Sequence, residues 1–87
     1  MSKYAIAKSL AGKKIITTDG EEIGRIVDLF INEISGKIEK VQLEPNPESA
    51  VVEKLEQTEG GLALIPYSAV LSIKDVMVAD RRELLSQ

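Results

Sequence analysis

Residues 19–32, DGEEIGRIVDLFIN, decide the fold. Asp19-Gly20 is a hairpin-turn signal, because Gly adopts the positive φ that a tight turn demands and Asp can hydrogen-bond its own backbone. A strand is therefore expected before the turn as well as after it. From Arg25 to Asn32 the residues alternate, with Val27, Leu29 and Ile31 on one face and Ile26, Asp28, Phe30 and Asn32 on the other. The first face is wholly apolar, so the pattern assigns it to the core. Gly24, just ahead of this run, suits a bulge or a close backbone approach, a device that bends strands in small barrels.

Upstream, residues 13–18 carry Ile15, Ile16 and the β-branched Thr17 and Thr18, which read as the strand that Asp19-Gly20 turns into the next. Before it, Ser9-Leu10-Ala11-Gly12 reads as a turn of helix closed by glycine, with Tyr4, Ile6 and Leu10 as anchors. Downstream, residues 33–36 form a second turn with Gly36 at positive φ. Residues 37–44 alternate again, separating Glu39, Val41 and Leu43 from Ile38, Lys40 and Gln42. The first half is thus expected to be a three-stranded antiparallel meander.

Pro45-Asn46-Pro47 then removes backbone donors and stops the strand. Asn46 can cap a short helix within residues 48–57, placing Val51 and Leu55 on one face; an acidic loop is the alternative reading. Gly60-Gly61 turns the chain into the apolar run 62–65, which Pro66 limits. Residues 67–70 read as a single turn and 71–78 as the last strand. Asp80 and Glu83 stand at capping-box spacing ahead of Leu84 and Leu85. The expectation is an all-β, mostly antiparallel small barrel of about six strands with a short helical segment. It forms one domain over residues 1–87, with its core at 9–79 and a tail at 80–87.

Composition narrows the chemistry. The 87 residues include neither cysteine nor histidine, which removes disulfides, thiolate chemistry, the usual zinc sites and imidazole acid–base catalysis. Apolar residues make up 44%, but only Tyr4, Phe30 and Tyr67 are aromatic, so the core must be built from Val, Ile and Leu. Three aromatics also provide little platform for carbohydrate chemistry between carboxylates. Glu21, Glu22 and Asp28 lack the alternating ligand spacing of a calcium loop. We therefore expect no enzyme, no cofactor and no metal. No apolar run approaches the length of a bilayer span, and residues 4–10 are too short for a signal segment, so the chain reads as cytoplasmic. A net charge of −3 argues against general nucleic-acid binding, although Lys3, Lys8, Lys13 and Lys14 precede the first acid.

Two stretches resemble one family. The first runs from Leu10-Ala11-Gly12 to Ile31-Asn32, with Asp19-Gly20-Glu21, Ile23-Gly24 and Asp28. The second runs from Leu64-Ile65-Pro66-Tyr67-Ser68-Ala69-Val70 through Ile73, Asp75, Val76 and Val78. Together they resemble the PRC-barrel domain, known from the photosynthetic reaction-centre H subunit and from the ribosome maturation factor RimM. A chain of this size is similar to the stand-alone PRC-barrel proteins of archaea, some of which are similar to adaptors that engage the SepF-type anchor of the division ring. The resemblance implies a non-catalytic protein–protein adaptor, homodimeric, with a SepF-like partner. The alternative it implies is a RimM-like module of ribonucleoprotein assembly, marked by the basic residues 3–14.

Among single residues, Asp28 is expected to bond nearby backbone N–H groups, and Gly12, Gly20, Gly24, Gly36, Asp19 and Pro66 to shape the backbone. Tyr67 is expected to cover a barrel end. Alternation puts Phe30 with Ile26, and Met77 with Ile73 and Asp75, on outer faces, which makes Ile26, Phe30 and Met77 candidates for a dimer or partner patch. The opposite reading is that a bulge at Gly24 turns Phe30 into the core. Arg81, Arg82, Leu84 and Leu85 read either as a frayed terminus or as a docking segment.

Overall fold

The computed structural model describes residues 9–86. Seven strands form one sheet: β1 (Lys14–Thr17), β2 (Glu22–Ile31), β3 (Ile38–Pro45), β4 (Glu56–Gln57), β5 (Ala63–Pro66), β6 (Val70–Ile73) and β7 (Met77–Ala79). The spatial order is β4-β5-β3-β2-β1-β7-β6, antiparallel throughout except for the parallel pair β1–β7. A short helix, α1 (Arg81–Leu85), follows, and single 3₁₀ turns lie at Val52–Lys54 and Tyr67–Ala69.

The connectivity forces the sheet to curl. β5 and β6 are five strand spacings apart, about 24 Å if the sheet were flat. Only Tyr67–Ala69 joins them in the chain, a reach of about 13 Å. The two ends of the sheet must therefore approach each other, and the inward faces of β1, β2, β3, β5 and β7 enclose one cluster that includes Ile15, Ile23, Ile26, Leu29, Val41, Leu43, Ile65 and Met77. Val51, Val52 and Leu55 close it from the loop after β3, and Leu84 from α1. This is the small aliphatic barrel that the composition requires.

β2 departs from simple alternation. Opposite β1 the register skips between Ile15↔Gly24 and Ile16↔Glu22, and opposite β3 it skips between Ile26↔Leu43 and Asp28↔Gln42. Val27 is the extra residue of the second bulge. It points out together with Asp28, so Ile26 is buried and Val27 exposed, the reverse of their expected faces. Leu29 is inward and Phe30 outward, as the alternation has them. The bulge also lets the Asp28 carboxylate accept the Leu29 N–H at 2.8 Å.

Two further expectations are corrected. The segment 71–78 is not one strand: it bends at 74–76 into the β6–β7 hairpin, where the Lys74 N–H donates to the Val76 carbonyl. Ile73 and Met77 pair across that hairpin and share one face, as the alternation groups them, but it is the inward face: Ile73 packs against the core, Met77 and Ala79 are buried in it, and Val78 is only half-buried. Within 48–57 the short helix contracts to Val52–Lys54, because β4 begins at Glu56. Val51 and Leu55 are nevertheless both buried. Asn46 ties this loop down, donating from Nδ2 to the Glu22 carbonyl and accepting the Glu48 N–H. Gly12 closes the helical turn at Ser9-Leu10, and its N–H donates to the Ile26 carbonyl. Tyr4 and Ile6 lie outside the described residues.

Gly24 sits where β2 passes β3. A β-carbon there would lie 2.2 Å from the Glu44 carbonyl oxygen and 2.8 Å from Leu43 Cδ1. At Gly20 a β-carbon would meet nothing within 4 Å. Gly24→Ala should therefore destabilise the fold by about 2–4 kcal/mol, and Gly20→Ala by about 1 kcal/mol through its positive φ alone. Denaturant unfolding of both variants checks the difference; equal losses would mean that β2 and β3 part without cost.

Candidate protein-interaction surface

Three of the exposed large apolar side chains among the described residues, Val27, Phe30 and Ile34, lie on the β2–β3 hairpin; Leu71 of β6 and Leu85 of α1 are exposed elsewhere. Phe30 is 41% exposed, opposite Lys40, and Val27 stands out from the bulge. Beyond Phe30 the hairpin ends in a turn built on Asn32, whose side-chain oxygen accepts the N–H groups of both Ile34 and Ser35, while the Gly36 N–H donates to the Asn32 carbonyl. That bonding holds Ile34 at the tip, 99% exposed. Nothing in the hydrophobic periodicity marks Ile34 as different from any other turn residue. Its prominence depends on the polar bonding beneath it.

Beside this hairpin lies a groove of about 120 Å³ lined by Lys40, Leu55, Glu56, Leu64, Ile65, Pro66 and Leu84. Leu64 alternates with the core residues Ala63 and Ile65, so it belongs to the outer face of β5, yet it too is buried. Lys40 Nζ and Glu56 Oε1 form an ion pair of 3.0 Å at the rim. Lys40 and Glu56 flank Leu64's neighbourhood from the strands on either side of β5.

Three sequence-derived candidates do not reach the surface. Ile26 is inward because of the bulge, Met77 because the face it shares with Ile73 is the core side of the β6–β7 hairpin, and Leu84 because α1 lays it on the core at 1% exposure. Leu85 and Arg82 are exposed, and Arg81 is half-buried. The segment is thus a docked helix: Asp80 caps it by accepting the Arg82 N–H, and the Asp80 N–H donates to the Ala69 carbonyl. Tyr67 packs partly buried against the core beside it.

A polar latch holds α1 to the first hairpin. Arg81 Nη1 lies 3.2 Å from both Asp19 Oδ2 and Glu21 Oε1. Asp19 also accepts the Thr17 hydroxyl, and Glu21 accepts the Ser49 hydroxyl, which ties in the loop after β3. The Thr17 hydroxyl beside Asp19 and the Ser49 hydroxyl beside Glu21, with Arg81 adding to both, hold the two carboxyls below their ordinary values. Glu21 is therefore committed to structure. Among the described residues no three metal-ligating side chains converge. Of the basic residues proposed for RNA, Lys14 is paired with Glu22 at 3.7 Å, and Lys3 and Lys8 lie outside the described residues. No helix of the described residues is long and apolar enough to cross a membrane.

Comparison with known proteins places these features in context. Residues 5–85 match the family model for the PRC-barrel domain. The chain is also 36% identical over 78 residues to the Uncharacterized protein MJ1118 of the archaeon Methanocaldococcus jannaschii, an alignment covering 90% of this chain and 83% of that protein.

The latch has a pH signature. Because the folded values of Asp19 and Glu21 are lowered, their contribution is complete above the ordinary values of 3.8 and 4.5 and is lost as pH falls through the depressed ones. Thermal unfolding followed between about pH 6 and pH 3 should show a flatter profile in Asp19→Asn/Glu21→Gln than in the parent. Parallel profiles would show that the latch adds nothing.

Proposed function

The chain belongs to the PRC-barrel domain family, and from that membership we propose that it is a non-catalytic adaptor, a homodimer joining proteins in an archaeal cytoplasm. PRC-barrel domains are in general interaction modules. The observation that supports this reading here is Phe30, 41% exposed on a strand whose inward neighbours Leu29 and Ile26 are buried. The strand is anchored in the core, so presenting Phe30 to a partner costs little ordering entropy, and aromatic side chains in such settings are frequent interface anchors. The partner class we propose, from the likeness to archaeal division adaptors, is a SepF-like anchor protein.

Calorimetric titration of the purified chain with the SepF-like protein of its own organism tests this. Binding is expected for the parent chain, and Phe30→Asp should weaken it about tenfold or more while its circular dichroism and melting temperature stay near the parent's. Absence of binding by the parent, or a Phe30→Asp variant that binds equally well, overturns the proposed site. Strongly salt-dependent binding to ribosomal RNA in place of SepF would support ribonucleoprotein assembly instead.

A further inference from the structure

The hairpin tip and the groove are complementary to each other. The tip offers one bare aliphatic side chain, Ile34, with exposed Glu33 and Lys37 on either side, neither in an ion pair among the described residues. The groove offers a hollow of about 120 Å³ with Leu55, Ile65 and Leu84 beneath and Leu64 and Pro66 beside it. Apolar cavities of about 150 Å³ hold a six-carbon ring, so a four-carbon isoleucine side chain suits this one. The groove's rim carries one cation and one anion, Lys40 and Glu56, to meet Glu33 and Lys37 with opposite signs.

A chain cannot fill its own groove with its own tip. Ile34 lies beyond the end of β2 and the groove opens beside Lys40, about four residues or 13 Å back along the hairpin, whose rigid backbone cannot fold over onto itself. A second copy can. Resting on the homodimer reading above, we infer that two chains associate face to face about a two-fold axis, each seating Ile34 in the other's groove. Such an interface is self-complementary, because the tip-to-groove contact occurs twice. The arrangement removes from water the exposed side chain of Ile34 on each chain.

The test is the self-association of the whole chain, measured by analytical ultracentrifugation over a concentration series. Ile34→Glu alters a fully exposed turn residue, so the fold is retained, and the dimer dissociation constant should rise by about tenfold or more. Reversing the flanks with Glu33→Lys/Lys37→Glu should weaken the dimer as well, and adding Lys40→Glu/Glu56→Lys should restore it. That recovery depends on the pairing of tip with rim and would not follow from a general change in surface charge. An Ile34→Glu chain that dimerises like the parent overturns the seating; if Phe30→Asp nonetheless abolishes the dimer, the homodimer reading survives without it. A parent chain that stays monomeric throughout overturns both.

Discussion

The backbone contact between Gly24 and Glu44 governs the shape of this molecule. With no side chain at Gly24, β2 can pass β3 at a distance that any β-carbon would forbid. The bulges on either side of that crossing bend β2 along its length, so one strand serves both β1 and β3 around the curve. Curvature matters because the chain has so little with which to fill a core. A barrel lined by Ile, Val, Leu and Ala must be narrow, and a narrow barrel needs sharply bent strands.

The same economy explains the C-terminal helix. Five residues do not make a stable helix alone, since nucleation is unfavourable and few hydrogen bonds follow it. Here the order comes from tertiary contacts. Leu84 completes the core, Asp80 satisfies the first turn, and Arg81 joins carboxylates from the β1–β2 turn. Ser49 extends the same polar set to the loop after β3, so segments distant in sequence are pinned at one place on the barrel. The charges of Asp19 and Glu21 are used in holding the chain together.

Among the described residues the barrel keeps most of its apolar groups inside, and of the exposed ones those on the β2–β3 hairpin carry the functional reading. Family membership makes the chain an interaction module, and the exposed side chains of the β2–β3 hairpin are where the module presents apolar surface on rigid backbone. The proposed adaptor role uses Phe30, and the proposed dimer uses the tip beyond it. Both draw on one property of the hairpin: its shape is held from within by the core and at its end by Asn32.

Local pattern was sufficient for much of this. Asp19-Gly20, Gly24, the alternation of residues 37–44, Pro66 with its following turn, and the Asp80 cap are encoded within a few neighbouring residues, because turns, caps and strand faces are set by local stereochemistry. The aliphatic composition likewise dictated a small β core and excluded imidazole and thiol chemistry. Which residues face outward was another matter. Alternation counts correctly only while the register is unbroken, and the extra residue at Val27 shifts the parity by one; it also does not say which of two faces is inward, and for Ile73 and Met77 that is set by how the β6–β7 hairpin lies on the barrel. Ile26 went inward and Val27 outward for the first reason, and Met77 inward for the second. Leu84 and Ile34 were decided at still longer range, one by the space left open in the core and the other by the turn that lifts it clear of the sheet. Sequence by itself determined the first three strands, the turns and caps that bound them, and a composition without imidazole or thiol; tertiary structure decided the split of residues 71–78, the strand at Glu56–Gln57 and the surface, because exposure is a relation between strands that no single strand contains.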